Sequence, residues 1–551
     1  MTMHGGAGAQ EEEEEEQEEM MQKLRSRATE LLLKEDWNEY INLYSYFIST
    51  TSTSTYNGGS KLHKALPSAF SNRAEARLRV RDLPGALADC QRALDIEPSH
   101  VKALLCKGKT LLELHRYSQA SETFQLVLSL QTHLSGNNEA LREMIERSRK
   151  LEVQSKTGVF DISDWIMNGF GGSSPELAEY VGPVEVRRSI PGSGRGLFAT
   201  KNIEAGTPLV ITKAVVIGRG ILPENDRESG VTARLVLWKD FVDKVLDVGR
   251  KCKRTLRLMY TLFNGEDDES ELQVPEMALF NPNEKSKMVA MDEEVEELLL
   301  DVERILKVLD VNCLMEDAAC ARVLGKKSGY SGVGLWILPS FVNHSCSPNA
   351  RRLHIGDRVI VHASRDVKAG EEIVFAYFDV LAPVKKRKEM SKRWGFECRC
   401  ERCRFEEEVF LFKEELRKMD VRMESGFDAG EVVVGLEEGM KRWMVSKAKE
   451  RGFLRASLFA AYAEVYKSDK MMRRWGKRIP TEISVAENMA GAVGGDERTM
   501  KMVLERLKKK RKSIASDQNV IEMEKALKLG KGVYGKVMKK QSMKLLFELH
   551  T

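Results

Sequence analysis

Apolar and polar positions along the chain fall into two textures, and the change between them divides it. Residues 22–155 read as helices. From about residue 181 the runs shorten: VEVRRSI, PLVITKAVVI, DRVIVHASRDV and EEIVFAYFDV are β-rich segments separated by Gly, Pro and Asn. They predict a small β-rich domain over 181–380. Inside it, residues from about 222 to 325 return to helical patterning (FVDKVLDVGRKCKRTLRLMYTLF, EEVEELLLDVERILKVLDV), so a helical insertion splits the β-domain. Residues 406–551 read as charged helices rich in Lys, Arg, Glu and Met. Two stretches carry no pattern. Residues 1–21 are Gly-rich and then Glu-rich (EEEEEEQEE); like charges repel and nothing is there to bury, which predicts a disordered acidic tail. Residues 156–180 hold NGFGGSSPE and read as a linker. The expected fold class is multi-domain: an α-helical N-terminal region, a split β-rich domain and an α-helical C-terminal region.

The N-terminal helices repeat. In NRAEARLRVRDLPGALADCQRALDIEP, Ala74, Ala86, Ala93 and Pro98 stand at the offsets of a 34-residue unit, the tetratricopeptide (TPR) repeat. Shifted by 34, Ala74 becomes Gly108, Ala86 becomes Ala120 and Cys90 becomes Phe124. Small residues let two antiparallel helices approach closely. Pro98 ends the second helix because it has no amide donor. A looser earlier unit, KEDWNEYINLYSYFI, aligns with RDLPGALADCQRAL once the insert TTSTSTYNGGSK is looped out. Three units meet the minimum for a stacked solenoid; a plain helical bundle is the simpler alternative. Repeats of this kind bind many peptides, so a peptide or protein partner is expected, without a stated identity.

Composition narrows the class. With 42% hydrophobic and 31% charged residues, the 551-residue chain reads as a soluble, core-forming protein of roughly three domains. A net charge of +4 gives no argument for direct nucleic-acid binding. No apolar run approaches the ~18 residues of a membrane helix, so no membrane partner is expected. The acidic N-terminus has neither a basic n-region nor an apolar h-region, so no secretory signal is expected. The nine cysteines are odd in number and sparse. An intracellular, reducing location is therefore expected, with clustered cysteines serving as metal ligands rather than disulfides.

Three short segments carry candidate chemistry. PGSGRGLFAT (191–200) places Gly192, Gly194 and Gly196 where a ligand can lie against the main chain; alone it also fits an ordinary turn. NHSCSPNA (343–350) packs Asn343, His344 and Cys346 directly after an apolar run. RWGFECRCERC (393–403) contains Cys398, Cys400 and Cys403 as C-x-C-x-x-C. Three thiolates so close can converge on Zn²⁺, and a tetrahedral structural site wants a fourth ligand, for which Cys346 is the candidate.

With the glycine-acidic strand that ends in tyrosine (AGEEIVFAYFD), these motifs resemble the SET-domain lysine methyltransferases, in the same order, over about residues 181–405. The helical insertion and the trailing helices resemble the SET and MYND group, and TPR-SET proteins of fungal type still more. A MYND zinc module needs a dense Cys and His cluster; Cys252, Cys313 and Cys320 are too few and too scattered, so none is expected.

The resemblance implies specific roles. Gly194, Arg195 and Gly196 would present backbone groups to the methionine part of S-adenosylmethionine. Asn343 would contact the cofactor's amino end and His344 its adenine, on a segment threaded into a pseudoknot. Cys346 would join Cys398, Cys400 and Cys403 around a structural zinc, in a post-SET segment over 385–405. Tyr377 would sit where the target amine meets the methyl group, touching cofactor and substrate. Phe375 would influence how many methyl groups are added, a phenylalanine favouring more, and Trp336 and Phe378 would line the lysine channel or, equally, pack in the core. The implied function is S-adenosylmethionine-dependent protein lysine N-methylation of histone or non-histone substrates. The alternative is a SET and TPR scaffold that has lost catalysis; the presence of Tyr377, Asn343 and the cysteines argues for the enzyme. Two basic runs, KKRK at 385–388 and KKKRK at 508–512, resemble nuclear import signals or solvated helix faces, which leaves nucleus and cytoplasm both open.

Overall fold

The computed structural model describes residues 5–53, 61–131, 138–168, 174–189, 194–221, 227–268, 271–280, 299–316, 330–412, 428–510 and 516–550. Of the sequence features, Gly192, Cys320, residues 54–60 of the insert, residues 169–173 of the linker and Arg511–Lys512 of the second basic run lie outside them. The chain divides into two units, one of residues 1–156 with 246–257 and 281–300, the other of 157–245, 258–280 and 301–551.

The first unit is TPR-like. It contains α1 (Gly5–Leu33), α2 (Trp37–Thr53), α3 (Lys61–Arg79), α4 (Leu83–Ile96), α5 (Val101–Glu113), α6 (Tyr117–Gln131) and α7 (Glu139–Thr157), and each helix from α1 to α5 packs on the next. The turn between paired helices repeats. Glu35, Arg81 and His115 all have positive φ (54°, 64° and 60°), and the amide after each bonds back to Leu31, Arg77 and Leu111. Arg81 and His115 stand 34 residues apart, while Glu35 and Arg81 stand 46 apart, the insert making up the excess. Gly108 has a steric reason: a Cβ there would stand 2.4 Å from the Phe124 ring. Asp89, fully buried, is neutralised by Arg73 at 2.7 Å and Arg77 at 2.9 Å.

The acidic tail differs from expectation. Residues 5–21 belong to α1. Glutamate is a good helix former, so the run can continue a helix. The helix also has an anchored half, where Leu24, Ala28 and Leu31 are buried.

The second unit holds the β-structure: β1 (Tyr180–Val181), β2 (Val184–Arg188), β3 (Arg195–Ala199), β4 (Pro208–Lys213), β5 (Val216–Ile221), β6 (Leu314–Met315), β7 (Tyr330–Leu335), β8 (Asn343–His344), β9 (Ala350–Ile355), β10 (Arg358–Ala363) and β11 (Glu372–Phe375). They form three small sheets, ordered β1-β4-β10-β9, β2-β3-β11-β8 and β5-β7-β6. Leu209, Val210 and Ile211 of β4 and Val359, Ile360 and Val361 of β10 are fully buried, which explains runs of β-branched residues without alternation. Between β5 and β6 come the insertion helices α9 (Arg227–Lys251), α10 (Lys253–Tyr260) and α11 (Val302–Asn312). A short helix, α8 (Ser163–Met167), precedes the sheets.

After β11 come α12 (Val384–Arg393) and α13 (Glu401–Phe412), then α14 (Ala429–Arg442), α15 (Ala448–Ser457), α16 (Phe459–Lys467), α17 (Asp469–Trp475), α18 (Glu482–Val493), α19 (Glu497–Lys510), α20 (Ser516–Tyr534) and α21 (Lys540–His550). The first basic run is not a uniform solvated face: Arg387 is buried to 1% exposure, while Lys385 and Lys386 face solvent.

Candidate functional site

Three motifs far apart in the chain meet at one short strand. β11 pairs antiparallel with β3, Ile373 opposite Leu197, and parallel with β8, Val374 opposite Asn343 and Phe375 opposite His344. Strand β11 thus brings the glycine turn and the NHSC segment together, and Tyr377 follows directly after it. Amides of Ser345 and Asn349 donate to the carbonyls of Phe375 and Val374, which fixes the segment's path along the strand.

The glycine turn is built as a cradle. Gly194 has φ +72°. A Cβ on Gly196 would come 2.4 Å from Glu372 Oε1 and 3.2 Å from Asn343 Nδ2, so only glycine leaves this wall open. Asn343 Nδ2 donates to the Arg195 carbonyl (3.1 Å) and to Glu372 Oε1 (2.7 Å), and Ser189 Oγ donates to Glu372 Oε2 (3.2 Å). A carboxylate, an amide and an open backbone so disposed suit an amino-acid headgroup, with Glu372 able to face its ammonium. The Arg195 side chain does not contribute; its guanidinium donates to the carbonyls of Thr261 (2.7 Å) and Gln273 (2.9 Å) and lies over Phe341.

The cysteines form one cluster. The sulfurs of Cys346, Cys398, Cys400 and Cys403 all lie within 4.8 Å of one another, with Cys346 and Cys398 at 3.8 Å. Tetrahedral zinc with Zn–S bonds of ~2.3 Å spaces its sulfurs by about 3.8 Å, so the set fits structural zinc. The electrostatics agree. Hydrogen bonding to Cys398, then to Cys400, pushes the Cys346 thiol up, whereas hydrogen bonds from Cys346, Cys398 and Cys403 hold Cys400 well down. Four thiols packed this way ionise together only around a cation. Arg387 Nη1 donates to Cys403 Sγ at 3.3 Å, and Arg402 Nη1 donates to the carbonyls of Cys346 (3.2 Å) and Val380 (2.6 Å). Both guanidiniums share the fully buried Glu406, which also accepts from Ser457 Oγ at 2.8 Å.

His344 joins the two halves. Its Nδ1 accepts from the Tyr377 amide at 3.0 Å, which leaves Nε2 as the protonated nitrogen, 3.3 Å from Cys346 Sγ. Burial pushes its pKa down to about 4, so the ring is neutral. Tyr377 Oη donates to the Val342 carbonyl at 2.9 Å. Its ring is walled by His344 (5.3 Å), Phe375 (5.7 Å) and two aromatics given no role from sequence, Trp394 (5.2 Å) and Phe396 (6.1 Å). Trp394 is 39% exposed, which marks the rim of this aromatic group. It stands in the RWGFECRCERC motif, and a tryptophan just ahead of a metal cluster was the signal available. Phe378 packs on His344 with ring centroids 4.2 Å apart and the planes tilted by 31°.

Trp336 takes the core-packing alternative. It is fully buried, donates Nε1–H to the Asp357 carbonyl at 3.2 Å and packs on His354 at 5.1 Å and on Gly334. It is a core residue; a tryptophan ending an apolar strand satisfies its one polar group locally and has nothing left for a channel.

Residues 194–378 match the family model of the SET domain. A methyltransferase of Gibberella zeae is 26% identical over 398 residues, 69% of this chain and 51% of its own length. The histone-lysine N-methyltransferase SMYD3 of Mus musculus is 40% identical over 73 residues, 13% of this chain and 17% of its own length. The chain thus spans about half, or less, of the length of these relatives. Among solved structures, the Arabidopsis OM64 TPR domain is 27% identical, covers 24% of this chain and 96% of its own, and has a TM-score of 0.20.

Proposed function

We propose that this SET-domain chain is an S-adenosylmethionine-dependent protein lysine N-methyltransferase. The observation that carries the reading is the meeting at β11 of the Gly194–Gly196 cradle, Asn343, Tyr377 and the four-cysteine cluster. Relatives named as methyltransferases support it.

Gly194, Gly196, Asn343 and Glu372 would hold the amino-acid end of the cofactor, and His344 would meet its adenine through the main chain. S-adenosylmethionine bound there supplies an electrophilic methyl group on a sulfonium sulfur. The chain's own task is then alignment and exclusion of water. Free lysine titrates near ~10.4, and the amine must be neutral to attack. The aromatic walls around Tyr377 disfavour a desolvated ammonium, and the Tyr377 hydroxyl, held by the Val342 carbonyl, orients the lone pair. Phe375 and Phe378 bring no polar group to this face; we propose that Phe375 leaves room for more than one methyl group. Zinc held by Cys346, Cys398, Cys400 and Cys403 would keep Trp394 and Phe396 against Tyr377. The TPR-like unit is proposed to bind a peptide segment of a protein partner.

The test is transfer of radiolabelled methyl from S-adenosylmethionine to histones, ribosomal proteins and a cell extract, with wild type and Tyr377→Phe. Label that appears with wild type and is lost in the variant supports the reading. No label on any protein, with cofactor binding demonstrated, favours a non-catalytic scaffold.

A further inference from the structure

The first basic run does not present four consecutive cations to solvent. Arg387 turns inward to Cys403 and Glu406, and Lys388 pairs with Glu407 at 2.8 Å. What remains outward is one face of α12. Lys385, Lys386, Glu389, Lys392 and Arg393 are exposed, while Val384, Arg387 and Ser391 are buried. At 3.6 residues per turn, the five exposed positions fall within an arc of about 120°. Glu389 stands three or four residues from each of the four cations, and its single charge offsets one of them at most. Among the described residues, no carboxylate comes within ion-pair distance of Lys385, Lys386, Lys392 or Arg393. Asp379 and Glu397, on the segments either side of the helix, are engaged by other groups. Arg498 holds Asp379 at 2.7 and 3.0 Å, and Arg399 holds Glu397 at 3.1 Å.

The stripe ends at the site. Trp394 follows Arg393 directly, is 39% exposed and packs on Tyr377 at 5.2 Å. At the other end, Lys386 is within electrostatic reach of Asp379, two residues beyond Tyr377.

We propose that the exposed face of α12 docks an acidic segment of the protein substrate, to one side of the target lysine. The inference rests on the methyltransferase reading, because Trp394 marks the rim past which a lysine reaches Tyr377. The spacing suits an extended chain. Lys385 and Lys392, like Lys386 and Arg393, are seven residues apart, about 10 Å along the helix axis. An extended segment covers about 10 Å in three residues, so two acidic residues three apart meet both ends of the stripe. Nucleic acid fits less well. Four cations around a carboxylate fall short of the about 6–10 phosphate contacts of a strong electrostatic site, and the whole chain carries only +4. Because the four side chains are solvated, each pair formed is weak, and the face sets a preference among lysines rather than a tight affinity.

The experiment uses the full zinc-loaded chain with labelled S-adenosylmethionine. The substrates are peptides with a central lysine and two Glu, two Gln or two Lys, three residues apart, placed at successive positions on either side. Wild type should favour the Glu peptide over its Gln counterpart about tenfold in kcat/KM at the best placement, the summed effect of two exposed ion pairs. The Lys peptide should be the poorest. The Glu preference should shrink at about 0.5 M salt. It should fall to about threefold in Lys385→Gln/Lys386→Gln or in Lys392→Gln/Arg393→Gln, and to one when all four are replaced. Turnover of the Gln peptide should stay at the wild-type level in each variant; should the fourfold variant lose it, the two double variants decide. No Glu preference, or one unchanged by salt or by the variants, overturns the docking face and leaves the enzyme standing. A labelled duplex oligonucleotide that binds wild type but not the variants, with Glu and Gln peptides methylated alike, makes the face a nucleic-acid site and also overturns the proposal. Should no peptide accept methyl, the enzymatic reading fails, and fluorescence anisotropy of the Glu and Gln peptides decides the face by itself. Tighter Glu binding that is lost in the double variants keeps it, and equal binding removes it.

Discussion

Glu406→Gln is the substitution whose cost the structure sets most firmly. Glu406 and Arg402 are fully buried and Arg387 is 1% exposed. The carboxylate accepts from Arg387 Nη2, from Arg402 Nε at 2.9 Å and from Ser457 Oγ at 2.8 Å. Glutamine keeps the shape and one acceptor but removes the charge, leaving two guanidiniums in the interior. Breaking a buried ion pair from one side costs about 3–5 kcal/mol. Four thiolates around Zn²⁺ carry two negative charges beside Arg387, so the lower end applies to zinc-loaded protein and the upper end after chelation. With a urea m-value of about 3 kcal/mol/M, the unfolding midpoint should fall by roughly 1–1.7 M. Urea unfolding followed by tryptophan fluorescence, with zinc release read by a chromophoric chelator, measures both. Adding Arg387→Met should recover part of the loss, because it removes one uncompensated charge. A midpoint shift under about 0.3 M for Glu406→Gln, or a double variant no more stable than the single one, would refute the electrostatic account.

Other substitutions probe the site directly. Tyr377→Phe should lower methyl transfer by about 10²–10³-fold, the effect of deleting one positioned hydroxyl, while calorimetric cofactor affinity stays close to wild type. Gly196→Ala should weaken cofactor binding by about tenfold or more, since its Cβ would displace the Glu372 carboxylate 2.4 Å away and cost a hydrogen bond; unchanged affinity by titration calorimetry would remove the cradle assignment. Cys400→Ser should lose zinc by elemental analysis and expose Trp394 to quenchers; retained stoichiometric zinc would overturn the four-cysteine assignment. His362, fully buried and hydrogen-bonded to the Gly532 carbonyl at 3.4 Å, has its pKa pushed down from 6.5 to about 3, by burial first and Arg351 second. Only the unfolded chain takes up its proton as pH falls below 6.5, so stability should decline from there towards pH 3, by up to about 1.4 kcal/mol per pH unit from this group. Denaturant midpoints at pH 7.5, 6 and 5 should flatten in His362→Gln, and an unaltered slope would exclude it as the source.

Much of this chain was legible before folding because its signals are local. The 34-residue offset from Ala74 to Gly108 and Ala86 to Ala120 reflects helices that touch their sequence neighbours, and the repeated left-handed turns at Arg81 and His115 follow the same period. C-x-C-x-x-C is local too, since three thiols within six residues reach one metal whatever the fold around them. The Glu-rich segment was misread because charge repulsion and helix propensity pull in opposite directions, and attachment to the anchored half of α1 decides between them.

What only the tertiary structure decided are pairings that no local spacing encodes, some near in sequence and some across more than a hundred residues. Asn343 meets Arg195 and Glu372 because β8 and β3 flank the same strand, a register no spacing encodes. Arg387 lies in a run of lysines and looks solvated, yet it turns inward to Cys403 and Glu406, which stand on the next helix. Trp336 is sealed in the core, and Trp394, given no role from sequence, stands at the rim by Tyr377. Sequence fixes which groups are available, by composition and short-range spacing. Which of them face one another, and in what dielectric, depends on strand register and on which side of each element is buried, and these exist only once the chain has closed on itself.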